Sequence, residues 1–168
     1  MHLKLLKSKN LSGQVIIPGD KSISHRSIIL SSIANGTSEI SGFLRGDDCL
    51  ATLNAFKKMG VKIEDEDKKI YVHGVGLHGL KKPIEDLDLG NSGTSMRLLA
   101  GLLSGQKFSS TLIGDSSLSS RPMQRILEPL QEMGASIFSK DNTSPLSIKA
   151  SNKLNGISYE LPVASAQV

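Results

Sequence analysis

The chain has 168 residues with a formal net charge of +4, and 38% of its residues are hydrophobic. This length and composition predict one folded domain or slightly more and exclude a disordered tail. The basic residues form isolated pairs, and aromatics make up only 4% of the chain, which argues against a nucleic-acid groove and suits an anionic small molecule. One cysteine and four histidines without ligand spacing predict neither a disulfide nor a metal site.

The N-terminal segment is basic but has no continuous apolar run of the kind that marks a secretory signal. The longest apolar stretch, Leu98 to Leu103, is far shorter than the roughly 20 residues of a membrane-spanning helix. The sequence therefore predicts a cytoplasmic protein outside the membrane. Cys49 follows two aspartates, which favours a small buried residue at the start of a helix over a reactive thiol.

The first unit along the chain is predicted to contain a helix, a strand, a second helix and two further strands. Its first helix follows the loop Pro18–Arg26 and carries the apolar run that begins at Ile28. The second helix places Leu53 and Met59 on one apolar face, and Gly60 supplies its C-terminal cap. Three stretches of β-forming residues are predicted strands: Thr37–Phe43, Val61–Glu64 and Ile70–Val72.

A second unit repeats this order 74 positions later. The residues that match between the two second helices and the strands after them are Leu53, Phe56, Met59, Gly60 and Ile63 in the first unit and Leu127, Leu130, Met133, Gly134 and Ile137 in the second. The strands predicted for the second unit are Ser109–Ile113, Ala135–Phe138 and Leu146–Lys149. Alternating helices and strands predict an α/β architecture built from repeated units.

A third loop of the same kind begins at Pro162, where the period predicts it, and the sequence stops at Val168. Stacked repeats normally end in an atypical capping unit, which this chain lacks. The sequence therefore favours a piece of a longer repeat-built protein over a complete two-unit domain with a frayed tail.

The loop before the first helix is the first candidate anion site. Helix N-termini attract anions through their unpaired N–H groups, and Lys21 and Arg26 add positive charge beside this one. Ser22 or Ser24 could cap the helix. An equally good interpretation is a helix capped by Asp20, Ser22 and Ser24 with its basic residues in solvent.

Two later loops share this design. In Leu89–Ser95, Gly93 lets a ligand approach the main chain closely, and Asn91 and Thr94 offer side-chain hydrogen bonds. A plain flexible turn with Thr94 as helix cap is the alternative. The loop Gly114–Pro122 places Arg121 before a helix, with Pro122 suited to the first helical position. Together the three loops indicate a cleft for ligands with several anionic groups.

Four segments resemble the enolpyruvyl transferase family, in the same order along the chain: Ile17–Arg26, Gly90–Arg97, Ser120–Met123 and Pro162–Gln167. They are most similar to members that act on shikimate 3-phosphate. The resemblance implies a two-domain inside-out α/β barrel enzyme, each domain built from three βαβαββ units. Residues 1–19 are then expected to be a crossover strand segment that pairs with the other domain, and residues 20–168 an incomplete N-terminal domain with two units and the start of a third.

The reaction implied by this resemblance is transfer of the carboxyvinyl group of phosphoenolpyruvate to the 5-hydroxyl of shikimate 3-phosphate, with release of phosphate and without a cofactor. Lys21 is the implied catalytic residue, contacting both substrates and assisting proton transfer. The residues implied to hold shikimate 3-phosphate are Lys21, Ser22, Arg26, Ser165 and Gln167. Those implied at the phosphoenolpyruvate site are Lys21, Asn91, Gly93, Thr94 and Arg121, with Gln167 reaching toward it.

The resemblance also implies that the acids that move protons lie in another domain, so these 168 residues alone are expected to be inactive. The whole enzyme is expected to be a monomer, and the piece could self-associate. Ala166 stands where many members have Ser, and Leu98 where many have Pro. Gly93→Ala is expected to push a methyl group into the phosphoenolpyruvate site and weaken competitive inhibitors such as glyphosate.

Two alternatives remain open. The UDP-N-acetylglucosamine branch of the family usually has Lys-Asn where this chain has Lys21-Ser22, and a cysteine in the loop that here contains Asp115. These differences favour the shikimate branch. The other alternative is an anion-binding module without catalysis.

Overall fold

The computed structural model describes residues 3–4, 6–7, 10–66, 68–151 and 153–162. The helices within these ranges are α1 (Lys21–Ile33), α2 (Asp47–Lys58), α3 (Gly93–Ser104), α4 (Ser116–Ser119) and α5 (Gln124–Glu132). The strands are β1 (Asn35–Ser41), β2 (Lys62–Glu66), β3 (Lys69–Val75), β4 (Leu87–Asp88), β5 (Ser110–Ile113), β6 (Ile137–Ser139) and β7 (Leu146–Ile148).

These strands form two sheets, one in each repeat unit. The first sheet has the order β1-β3-β2 and is antiparallel throughout, with Ile40 opposite Ile70. The second has the order β4-β5-β7-β6, in which β5, β7 and β6 repeat the order and the antiparallel pairing of β1, β3 and β2. The additional strand β4 pairs with β5 in parallel. Residues 10–20, the described segment that precedes α1, contain no strand corresponding to β4.

The predicted repeat is confirmed at the level of single hydrogen bonds. Gly60 and Gly134 follow α2 and α5 with φ of +86° and +93°, the left-handed conformation that ends a helix at glycine. Backbone bonds recur in equivalent pairs: Val61 N–H to Phe56 and Ala135 N–H to Leu130, then Lys81 N–H to Met59 and Asn155 N–H to Met133. Each unit therefore closes its second helix and anchors the following segment in the same way.

A continuous apolar core joins the two units. Helix α1 packs on β3, α3 packs on β5 and β7, and α2 contacts both α1 and α3. Phe56, Leu99 and Leu112 are fully buried within this core. Cys49 is buried in the first turn of α2, as its neighbours predicted, and burial raises the pKa of its thiol.

The largest differences from the sequence predictions lie at element ends. The first strand was predicted over Thr37–Phe43 but ends at Ser41, because Gly42 turns the chain with φ of +67°. Pro122 is not at the first helical position as predicted. The short helix α4 occupies part of this loop, and Pro122 lies between α4 and α5, which begins at Gln124. No helix in the described part of the chain is long and apolar enough to cross a membrane.

Candidate anion-binding site

The N-terminus of α1 carries the first group of candidate residues. Asp20 is the N-cap, and its carboxylate accepts a hydrogen bond of 2.7 Å from the Ile23 N–H. The cap is therefore neither Ser22 nor Ser24, although Asp20 is among the caps of the alternative interpretation. Lys21 and Ser22 are exposed in the first turn, and Arg26 is exposed in the next.

The Lys21 ammonium forms an ion pair with Asp48, which lies in the first turn of α2. The pair orients the lysine toward the junction of α1 and α2. Gly19 lies against the turn that follows β1, since a Cβ there would stand only 2.0 Å from the carbonyl oxygen of Gly42. This glycine is therefore required by close backbone approach, and it holds the loop beside the first sheet.

The second candidate loop ends at the N-terminus of α3. Ser92 is the N-cap and accepts a hydrogen bond of 3.2 Å from the Ser95 N–H. The alternative in which Thr94 caps this helix is therefore wrong, and Thr94 lies half-buried within the first turn. Gly90 has φ of +54° and donates its N–H to Asp88 at 2.9 Å, which bends the chain from β4 into the loop.

A chain of polar contacts holds Arg121 against this loop. The Arg121 guanidinium donates to the backbone oxygen of Asn91 at 3.3 Å and also to the side-chain oxygen of Asn91. The Asn91 amide in turn donates to both carboxylate oxygens of Asp115, at 2.8 and 3.0 Å. Asp115 caps α4 by accepting from the Leu118 N–H at 2.7 Å. The Asn91 amide and this N–H lower the pKa of Asp115, so the carboxylate stays ionised as an anchor.

Gly93 is the point at which two arginines meet the backbone of α3. A Cβ added at Gly93 would stand 2.7 Å from Nη1 of Arg97 and 3.2 Å from Nη1 of Arg121. Arg97 also donates to the carbonyl oxygen of Pro122 at 3.5 Å. The absence of a side chain at Gly93 therefore leaves room for both guanidinium groups beside the first turn of the helix.

Arg97 is the main residue that the sequence prediction did not include in the site. The signal was available, since residues four apart share a helix face and Arg97 lies four positions after Gly93. Burial lowers the pKa of Arg97, and the charges of Arg121 and Arg125 lower it further. Like charges gathered in a partly buried place are favourable only where an anion neutralises them.

These arginines open onto a cleft with a volume of about 510 Å³. The residues lining it are Arg97, Arg121, Pro122, Gln124, Arg125, Glu128 and Pro162. Glu128, the acid among them, accepts hydrogen bonds from Gln124 at 2.6 Å and from the Tyr159 hydroxyl at 3.3 Å. Three guanidinium groups in one cleft suit a carboxylate or phosphate, which planar forks of N–H donors bind in pairs.

A buried set of hydrogen bonds joins the two helix N-termini. His25 of α1 contacts Thr52 of α2, Thr52 contacts Ser95 of α3, and Ser95 contacts the cap Ser92. The N-terminal halves of α1 and α3 are therefore linked through α2, and the two helices also contact each other. These hydrogen bonds include neither Ser22 nor Arg26.

The remaining predicted residues, Ser165 and Gln167, lie outside the residues that the structure describes. Pro162, which lines the cleft, lies three positions before Ser165 in the sequence. Within the described ranges, no group of three or more histidine, cysteine, aspartate or glutamate side chains is arranged to hold a metal ion.

The chain is similar to known proteins over nearly its whole length. The sequence model of the family EPSP synthase (3-phosphoshikimate 1-carboxyvinyltransferase) matches residues 5–168. The 3-phosphoshikimate 1-carboxyvinyltransferase of Ruthia magnifica is 60% identical over 161 residues, which is 96% of this chain and 37% of that protein. The protein of the same description from Legionella pneumophila strain Corby is 60% identical over 159 residues, covering 94% of this chain and 37% of that one.

Solved structures agree with this similarity. An EPSP synthase from Acinetobacter baumannii superposes with a TM-score of 0.87 at 56% identity, covering 92% of this chain and 36% of that one. The enolpyruvyl transferase NikO from Streptomyces tendae superposes with a TM-score of 0.54 at 16% identity, which shows a shared fold. The α/β fold predicted from the repeat is thus confirmed as the enolpyruvyl transferase fold. The chain spans about 37% of the length of the curated relatives it matches, and over that length it belongs to the EPSP synthase family.

Proposed function

We propose that this chain provides part of the substrate site for transfer of the carboxyvinyl group of phosphoenolpyruvate to the 5-hydroxyl of shikimate 3-phosphate. The observation that carries the proposal is the approach of Arg97 and Arg121 to the bare backbone of Gly93. Phosphoenolpyruvate has a phosphate and a carboxylate, and each of these anionic groups can accept hydrogen bonds from a guanidinium group. Donors fixed in place before binding also stabilise the charge that builds up as phosphate leaves.

The phosphoenolpyruvate part of the site is assigned to Gly93, Arg121 and their neighbours Asn91 and Thr94. Arg121 is held by Asn91 before any ligand binds, which lowers the entropy lost on binding. Gly93 begins α3, so the positive end of that helix faces the same place. Arg97 joins this group because its guanidinium shares the space beside Gly93.

The shikimate 3-phosphate part is assigned to the α1 residues Lys21, Ser22 and Arg26, with Ser165 and Gln167. Support comes from the exposure of Lys21, Ser22 and Arg26, two of which are cations. Lys21 is also the proposed catalytic residue that assists proton transfer. Its ammonium forms an ion pair with Asp48 at the start of α2. The Ser95 hydroxyl at the start of α3 donates to the carbonyl oxygen of the same Asp48, at 3.5 Å.

The domain arrangement is part of the same proposal. Residues 1–19 are proposed to form a crossover segment that pairs with another domain, and residues 20–168 an incomplete N-terminal domain with a third unit begun. A cytoplasmic location is part of the same proposal. The acids that move protons are proposed to lie in the rest of the enzyme, so this chain alone is expected to bind substrate without turnover.

Calorimetric titration of the chain with each substrate tests the proposal. Arg121→Gln is expected to weaken phosphoenolpyruvate binding about tenfold or more, because a charge-assisted contact is lost. Lys107→Gln is the matched control, since it removes the same charge from an exposed residue beyond the other end of α3. Equal losses in both variants, or no binding of either substrate, would contradict the assignment.

A phosphate-release assay with both substrates tests the remaining part. No phosphate release above background is expected from the chain alone, and turnover would contradict the claim that essential acids lie elsewhere.

Titration with UDP-N-acetylglucosamine in place of shikimate 3-phosphate separates the two branches of the family, and tighter binding of the nucleotide sugar would favour the other branch.

A further inference from the structure

His25 is a fully buried titratable residue that the proposed reaction does not use. It lies one turn after Lys21 on α1, at the place where α1, α2 and α3 meet. Its ring nitrogen Nδ1 stands 2.7 Å from the hydroxyl of Thr52 and 3.5 Å from that of Ser95. The other nitrogen, Nε2, is buried and has no hydrogen-bond partner among the residues that the structure describes.

The hydroxyls beyond His25 form a continuous chain. Thr52 Oγ1 stands 2.6 Å from Ser95 Oγ, which stands 2.6 Å from Ser92 Oγ. Ser92 Oγ also accepts the Ser95 N–H as the cap of α3. The chain thus runs from the helix that carries Lys21 to the residue that begins the Gly93 helix.

Counting protons along this chain distinguishes the two neutral forms of the ring. A proton on Nε2 would be a buried N–H without an acceptor, an arrangement that folded proteins rarely contain. A proton on Nδ1 is donated to Thr52, whose own hydroxyl then donates to Ser95, and Ser95 donates to Ser92. Nε2 is left as an unpaired acceptor, which is tolerated better than an unpaired donor. Moving the proton to Nε2 would make Thr52 the donor to Nδ1, so Thr52 could no longer donate to Ser95.

We propose that His25 is a positioning residue that carries its proton on Nδ1 and, through Thr52 and Ser95, fixes the cap Ser92 and the loop before Gly93 relative to α1. Its effect on ligand binding rests on the proposed function of the two loops. The hydroxyl chain and the ring proton exist whether or not a ligand binds.

The charged and titratable groups around the ring agree with a neutral imidazole. Lys21 precedes it by one turn of α1, and Asp48 acts on it from the first turn of α2. The contacts from α3 are the hydroxyls of Ser92 and Ser95. Burial and the Lys21 charge lower the pKa of His25, and Asp48 opposes them with a smaller effect.

Two substitutions distinguish the ring nitrogens, because the amide nitrogen of Asn can replace Nδ1 and that of Gln can replace Nε2. We expect His25→Asn to keep the positions of the Gly93 and Ser95 amide signals in a ¹H–¹⁵N spectrum, and His25→Gln to shift both. We expect shikimate 3-phosphate and phosphoenolpyruvate affinities to stay within about threefold in the Asn variant and to fall about tenfold in the Gln variant. His73→Asn is the control for loss of a histidine, since half-buried His73 lies on β3 and takes no part in the hydroxyl chain, and it should change neither.

Nitrogen NMR of the ring in the unsubstituted chain provides a second measurement that does not depend on any variant folding. The expected result is a neutral ring at pH 7 with its proton on Nδ1. A proton on Nε2, or a Gln variant that preserves the loop signals better than the Asn variant, would overturn the inference. If neither substrate binds the unsubstituted chain, the proposed function fails, but the ring proton and the amide signals still decide the role of His25.

Discussion

Substituting Gly93 by alanine adds one methyl group at the point where the two arginines approach α3. The new Cβ would stand 2.7 Å from Nη1 of Arg97 and 3.2 Å from Nη1 of Arg121. Both distances are shorter than ordinary carbon–nitrogen contact, so at least one guanidinium must move away. The colliding atoms are the ends of flexible side chains, and the backbone of α3 has no reason to shift.

The expected loss is therefore in binding rather than in stability. A hydrogen bond to a charged group contributes about 1.5–3 kcal/mol, and each 1.4 kcal/mol changes affinity tenfold. Misaligning one of the two guanidinium groups should then weaken binding of phosphoenolpyruvate about 10- to 100-fold. Alanine is the better helix former by about 0.5–1 kcal/mol, so the free energy of unfolding should not fall.

Calorimetric titration with phosphoenolpyruvate, together with urea denaturation, measures both quantities. Gly101→Ala is the matched control, since it lies on the same helix and a Cβ there would meet nothing within 4 Å. It should raise stability by a similar amount and leave affinity unchanged. If Gly93→Ala binds phosphoenolpyruvate as tightly as the unsubstituted chain, the two arginines do not form the anion site.

Three further results are expected. Asn91→Ala should loosen Arg121 and weaken phosphoenolpyruvate binding about fivefold. It should also raise the pKa of Asp115 toward its usual range, which carboxyl NMR titration checks. An unchanged Asp115 pKa would contradict the hydrogen bond between Asn91 and Asp115. Gly60→Ala and Gly134→Ala should each lower the free energy of unfolding, measured by urea denaturation, by about 1–2 kcal/mol because both glycines have positive φ. The loss should be larger at Gly60, where the new Cβ would also meet the Lys81 side chain. Variants as stable as the unsubstituted chain would contradict the repeat geometry. The pKa of His25 is held below its usual 6.5 mainly by burial, so the unfolded chain binds this proton at higher pH than the folded one; its contribution to stability is full above pH 6.5 and is lost as pH falls below that value. As pH falls below 6.5, the melting temperature of His25→Asn should therefore fall less than that of the unsubstituted chain. The same fall in both proteins would contradict a lowered pKa for His25.

The sequence alone was sufficient for the repeat, because the features that define it are local. A glycine after an amphipathic helix, followed by a strand, has the same physical meaning at Gly60 and at Gly134, and each position adopts the left-handed conformation in the structure. The candidate loops were also predictable, since polar residues and glycine before an apolar helix indicate a helix N-terminus. The choice among several possible caps was not, because Asp20, Ser22 and Ser24 all have suitable side chains and only the path of the chain selects one.

Tertiary structure decided how the loops combine. Arg97 of α3 meets Arg121, which follows α4, beside Gly93. The two arginines are 24 positions apart, so no local sequence pattern predicts that they are close. His25 became a buried link for the same reason, since Thr52 and Ser95 reach it from two other helices. Local conformation depends on neighbours along the chain, so it can be predicted from the sequence. The collection of charge into one cleft depends on packing between distant segments, which the fold alone determines.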